Sequence, residues 1–213
     1  MKNRILIILL NIILVSCNST QTKQQDKEKK GISDSITNQQ TQSVEETRPA
    51  ENNRQDDCAR GQATPIVKKE IYPNTTFVLQ PDSISAVETI TFENNDNLII
   101  YNRGCEYYVL TFLFQTSRFQ EDIDNLQFWY SKAILLLSDT KKGLDTPFDL
   151  DKGIENIGKY VDNASKDNDK ILKPGVQIDF GEDEIRSFVT IDKVEKITDK
   201  KYAIELSFSI GPL

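Results

Sequence analysis

No aromatic residue occurs before Tyr72, and the break this makes in the chain limits where a folded core can lie. Between residues 18 and 57 the only apolar side chains are Ile32, Ile36, Val44 and Ala50. Such a stretch cannot bury enough surface to offset the entropy of ordering its backbone, so it is predicted to be a disordered tether. A coil of that length has a root-mean-square reach of about 35 Å. From Cys58 onward aromatic and β-branched residues arrive steadily, and residues 58–213 are enough for one domain with its own core.

The first residues have a different pattern. Lys2 and Arg4 supply positive charge, and an apolar run from Ile5 to Val15 follows, interrupted only by Asn11. As a helix that run covers about 16 Å, roughly half of a hydrocarbon core, so it is too short for a stable span. A short apolar run behind positive charge and ahead of small residues is the pattern of an export signal. The four residues Leu14, Val15, Ser16 and Cys17 end it, and together they resemble the lipobox of bacterial lipoproteins. That resemblance covers residues 1–17. It implies cleavage before Cys17, a diacylglyceryl group on its thiol and an acylated amine, leaving 17–57 as the lipidated residue and tether. Several acyl chains at about 0.8 kcal/mol per buried CH₂ make a stable anchor. Asn18 in place of the Asp associated with inner-membrane retention points to the outer membrane. The lack of a compact acidic run after Cys17 points to a domain facing the periplasm.

With Cys17 assigned to the anchor, Cys58 and Cys105 remain as a pair. An exported domain sits in an oxidising compartment, and a disulfide is expected. The competing readings, a metal site or a catalytic thiol, lack support because the chain contains no His. The absence of His also removes the usual Ser–His–Asp and Cys–His arrangements. No G-x-S-x-G, P-loop or G-x-G-x-x-G occurs, and no S-x-x-K opens a predicted helix. No cofactor is expected.

The net charge is −7, and residues 58–213 alone also carry −7. Nucleic acid is therefore not an expected partner, whereas a basic envelope or secreted protein is compatible. The acidic runs "GEDE" (181–184) and "DLDKGIE" (149–155) are read as a solvated turn and a charged helix N-terminus. The second lacks a third ligand and has its Gly one place early for a calcium loop. "DSI" occurs at Asp34–Ile36 and Asp82–Ile84. It resembles the Asp-Ser/Thr-apolar acceptor of O-glycosylation in Bacteroidota, and it equally suits a turn capped by Asp and Ser.

The periodicities predict strands, then helices, then strands. "TTFVLQ" (75–80) lies between Pro73 and Pro81 and reads as an edge strand. "AVETITFE" (86–93) and "LIIYNR" (98–103) flank the turn residues "NNDN". "EYYVLTFLF" (106–114) is apolar in both phases and reads as a central strand covered on both faces. Ile123, Leu126, Tyr130, Ala133 and Leu137 recur at helical spacing in 123–143, with the "FWY" cluster (128–130) supplying core. A second helix follows Pro147 on the stripe Leu150, Ile154, Ile157, Val161 and Ala164. "VQIDF" (176–180), "EIRSFVTIDKV" (184–194) and "YAIELSFSI" (202–210) complete the strands. The predicted class is α+β: a largely antiparallel sheet of about six or seven strands with two central helices packed on it.

"NRGCEY" (102–107) places Arg103 and Glu106 around a Gly and the expected disulfide, at a turn between strands. Two readings apply, a recognition tip and a local ion pair. The functional expectation is a lipid-anchored envelope protein acting as a non-enzymatic binding or structural module. The alternatives are an inhibitor of a secreted basic enzyme such as lysozyme, with charge steering the encounter, and a hydrolase using paired carboxylates.

Overall fold

The computed structural model describes residues 58–166, 171–181 and 185–212. Seven antiparallel strands form one sheet: β1 (Thr75–Leu79), β2 (Ala86–Thr91), β3 (Asn97–Arg103), β4 (Tyr108–Thr116), β5 (Ile178–Asp179), β6 (Ser187–Thr198) and β7 (Lys201–Ile210). Their order is β1-β2-β3-β4-β7-β6-β5, so β4 is central and the two-residue β5 and proline-flanked β1 are the edges. Helices α1 (Leu126–Thr140) and α2 (Leu150–Lys166) fall between β4 and β5, giving the predicted α+β class.

Both helices lie on one face. The side chains that meet them alternate along each strand: Leu110, Phe112 and Phe114 on β4, and Tyr202, Ile204, Leu206 and Phe208 on β7, all buried. Trp129 and Tyr130 of α1 are fully buried above them, and the Trp129 ring lies 4.7 Å from that of Tyr202. Each such side chain contributes about 1.5–3 kcal/mol through removal from water. The opposite face carries no helix among the described residues. Val109 and Leu113, the second apolar phase of β4, are only half-buried there. The expectation of a strand covered on both faces is thus corrected: β4 is central in hydrogen bonding but is roofed on one side.

Local chemistry sets the helix boundaries. Asn125 caps α1 by accepting the Phe128 N–H at 3.2 Å, so Ile123 falls outside the helix and is 43% exposed. The stripe therefore begins at Leu126. Asp149 accepts the Lys152 N–H at 2.9 Å and caps α2. Asp151 pairs with Lys141, and Glu155 pairs with Lys159 at 2.7 Å. The acids of "DLDKGIE" are thus engaged in a cap and two surface ion pairs. Of "GEDE", only Gly181 lies within the described residues.

Gly153 sits inside α2, where glycine costs roughly 0.5–1 kcal/mol. The reason is the Phe208 ring, which occupies the space a Cβ would need. That ring cannot yield easily, since it is held by Phe112, Phe148 and Phe180 at centroid distances of 5.9, 6.0 and 5.5 Å. Gly153→Val is expected to lower stability by about 2 kcal/mol through overpacking. Gly158→Ala, where a Cβ meets nothing within 4 Å, should raise it by about 0.5 kcal/mol. Thermal denaturation of both variants checks the contrast, and equal losses would refute it.

Candidate functional site

Three polar constellations lie outside the apolar core, and each is built from segments distant in sequence. The first closes one end of the sheet. Cys58 and Cys105 stand at disulfide distance with Cα atoms 5.2 Å apart, tying the start of the described chain to the β3–β4 turn. Gly104 makes that turn possible at φ 101°, with the Tyr107 carbonyl where a side chain would begin. Arg60 then reaches across two turns, donating to the Gly104 and Ile84 carbonyls, each at 3.2 Å, and to Asn102 Oδ1. Its guanidinium lies 4.3 Å from the centre of the Tyr108 ring. Burial lowers the Arg60 pKa and raises that of Tyr108.

A few residues on, Glu88 of β2 is 2% exposed and accepts the N–H groups of Ile66 and Val67 at 2.8 and 3.1 Å. Burial raises its pKa, with the two backbone hydrogen bonds opposing. Residues 58–67 thereby form a strap held to the sheet by a disulfide, a guanidinium and a carboxylate. A carbohydrate-, metal- or nucleophile-directed motif is not what pattern reading missed at Glu88. It missed a strand residue in phase with Ile90, made tolerable by two backbone donors 21 and 22 positions earlier.

Arg103 and Glu106 do not form the expected ion pair. Both are exposed, and Arg103 turns onto the helix-free face, where its Nη2 donates to Thr111 Oγ1 at 3.2 Å. The second constellation starts there. Ser207 Oγ donates to Asp192 Oδ2 at 2.5 Å, which leaves Thr111 Oγ1 to donate to Ser207 Oγ at 2.8 Å. Thr190 Oγ1 donates to the other carboxylate oxygen, Asp192 Oδ1, at 2.5 Å. A directional chain thus runs across β3, β4, β7 and β6, from a guanidinium to a carboxylate. Its hydroxyl hydrogens are all committed, and a carboxylate alone is a weak base toward serine, so the arrangement clamps four strands and does not activate a nucleophile.

The third constellation lies at the other end of the sheet, about 30 Å away along the strand β4. Asp96, in the β2–β3 turn, is 4% exposed. Its Oδ1 accepts the backbone N–H and hydroxyl of Ser117, both at 2.8 Å, and its Oδ2 accepts Thr116 Oγ1 at 2.7 Å and Asn94 Nδ2 at 2.9 Å. Burial opposes the charge, but these hydrogen bonds outweigh it and hold the pKa below the ordinary value. Beside this hub is a cavity of about 180 Å³ between the turn and the end of α1. Tyr72 and Phe92 line it as an edge-to-face pair 5.9 Å apart, and Arg118 and Asp139 pair at 3.0 Å on its rim. None of these four was a sequence candidate. The only local signal was "NNDN", legible as a turn and not as an anchor for the end of β4.

Cys17, the predicted lipidation residue, lies outside the described residues, as do the leader and tether. Among the described residues no helix is long and apolar enough to cross a membrane. No protein-family model, curated protein or solved structure matches this chain.

Proposed function

We propose that this chain is a lipid-anchored, non-enzymatic binding or structural module of a Gram-negative envelope, held through Cys17 on the outer membrane and facing the periplasm. The lipobox supports the anchor. The observation that carries the reading of the domain is its polarity from end to end. The chain enters at Cys58, strapped to the β3–β4 turn by Arg60 and the Cys58–Cys105 pair. Asp96 and its cavity lie at the other end of the sheet from this attachment point, clear of the strap. The inhibitor reading would instead need "NRGCEY" to enter a partner's cleft, and that turn is the one tied to the tether.

Cys17→Ala is expected to abolish incorporation of labelled fatty acid and to leave unprocessed or released protein. Metabolic labelling with fractionation of the envelope checks this. A variant that still carries label and still sediments with membranes would end the anchor reading. Turnover of an envelope substrate, lost on substitution of a single Asp or Glu, would end the non-enzymatic one.

A further inference from the structure

The cavity at the far end of the sheet from Cys58 is negative on balance. Among the described residues, Arg118 is the one cation that lines it. Its charge is answered by Asp139 at 3.0 Å, and its guanidinium also lies 5.3 Å from the Phe119 ring. That leaves Asp96, whose donors are the Ser117 N–H and the side chains of Ser117, Thr116 and Asn94, all of them neutral. Burial opposes its charge and these hydrogen bonds preserve it, but none of them cancels it. The end of α1 adds to the same sign. Asp139 and Thr140 belong to its last turn, and their carbonyls take long contacts from the Tyr72 hydroxyl, at 3.4 and 3.3 Å. Burial and then the nearby Asp139 raise the Tyr72 pKa, so the negative potential reaches this ring.

Much of the remaining wall is apolar. Phe114 of the sheet and Leu136 of α1 are buried, and Tyr72 and Phe92, packed edge to face, are half-buried beside them. Aromatic rings offer negative faces to a cation. The chemistry of the charge then narrows the ligand. Four donors fill the acceptor sites of the Asp96 carboxylate, so an incoming N–H or a bare metal ion finds no place on it. An ammonium that carries methyl groups in place of N–H needs no acceptor. It feels the field of Asp96 at a distance, and its methyls leave water for Phe114 and Leu136. We infer that this cavity binds a small methylated ammonium group, held against Tyr72 and Phe92 by the charge of Asp96 and the carbonyl end of α1. The volume of about 180 Å³ suits a compact head group. This assignment rests on the proposed role as a binding module and names its ligand class.

The test is saturation-transfer NMR on the purified full chain in a maltoside detergent, with tetramethylammonium and choline as separate probes. Both should bind with Kd on the order of 1 mM. Dimethylbutanol, the uncharged isostere of choline with carbon in place of nitrogen, should bind about tenfold more weakly, and so should ethanolamine, which carries N–H in place of methyl. Phe92→Leu should weaken both probes by about fivefold. Arg118→Met should strengthen them by about threefold, because it removes a like charge from the rim. The circular dichroism spectrum should stay unchanged in both variants, and a merely structural role would not give effects of opposite sign. Transfer to neither probe overturns the assignment. So does transfer that neither substitution alters, since the cation would then sit elsewhere. Dimethylbutanol binding as well as choline, or sodium displacing choline at equal concentration, would also overturn it. Glycerophosphocholine separates two sources of the same chemistry: preference for it over choline assigns a lipid head group, the reverse a free solute, and either upholds the site. These results leave the anchor untouched, because acylation of Cys17 is read separately. Chemical turnover of bound choline would sink the non-enzymatic reading while leaving the cavity assignment standing.

Discussion

Replacing Cys58 and Cys105 together by serine is expected to lower the unfolding free energy by about 4 kcal/mol. The two cysteines are 47 positions apart, and opening that loop frees the denatured chain far more than it alters the native contacts. The strap itself should stay in place, because Arg60 and Glu88 hold it through five hydrogen bonds of their own. A loss of this kind acts on the unfolded ensemble, so the variant should also show a steeper dependence on urea as its denatured state expands. Equilibrium urea unfolding measures both quantities. A change below about 1 kcal/mol with an unaltered slope would mean that the pair does not constrain the denatured chain.

Asp96→Ala should cost about 3 kcal/mol, because four donors lose a buried charged acceptor at once. Its pH dependence has a definite sign. The folded pKa of Asp96 lies below the ordinary 3.8, so its contribution is fully present above that value and is lost as pH falls through the folded one. The gap between wild type and variant should therefore narrow in strong acid. Glu88 acts in the opposite sense. Its folded pKa lies above the ordinary 4.5, so its burial penalty is largest above the folded value and fades as pH falls towards 4.5. Urea midpoints measured from pH 7 down to pH 3 separate the two. A gap at Asp96 that widens on acidification would refute the hub.

The strands and α2 were legible because their cause is local. Leu150, Ile157 and Val161 repeat with the helix period, and Ile90, Leu98 and Ile100 with the strand period, and the structure buries all of them. What escaped the pattern is non-local or concerns a choice between faces. β4 is apolar in both phases, yet periodicity cannot say that both helices take the same side. β6 continues to Thr198, past the predicted Val194, because β7 extends its ladder across register shifts at Ile191/Lys193 and Lys196/Thr198. Arg103 pairs with a threonine eight positions on and not with the acid three positions on, since the strand carries it to the other face of the turn. The cavity was least legible of all. Arg118 and Asp139 are 21 positions apart, and only the return of α1 over the sheet brings them together.

The strand order has a consequence for how the chain reaches this state. β4 pairs with β3, its neighbour in sequence, but its other side pairs with β7, from Tyr108–Ile210 to Thr116–Tyr202. The first four strands can form as a local meander as soon as they are available. They must then wait, with the backbone of the central strand open along a whole edge, until the last strand arrives. Loop closure over that distance is slow, and an open apolar edge is the surface on which chains pair with the wrong partner. A holding factor acting on this protein would therefore have its natural target at β4, and loss of the final ten residues would be more damaging than loss of the first strand. The centre of the finished sheet is the last part of it to be closed.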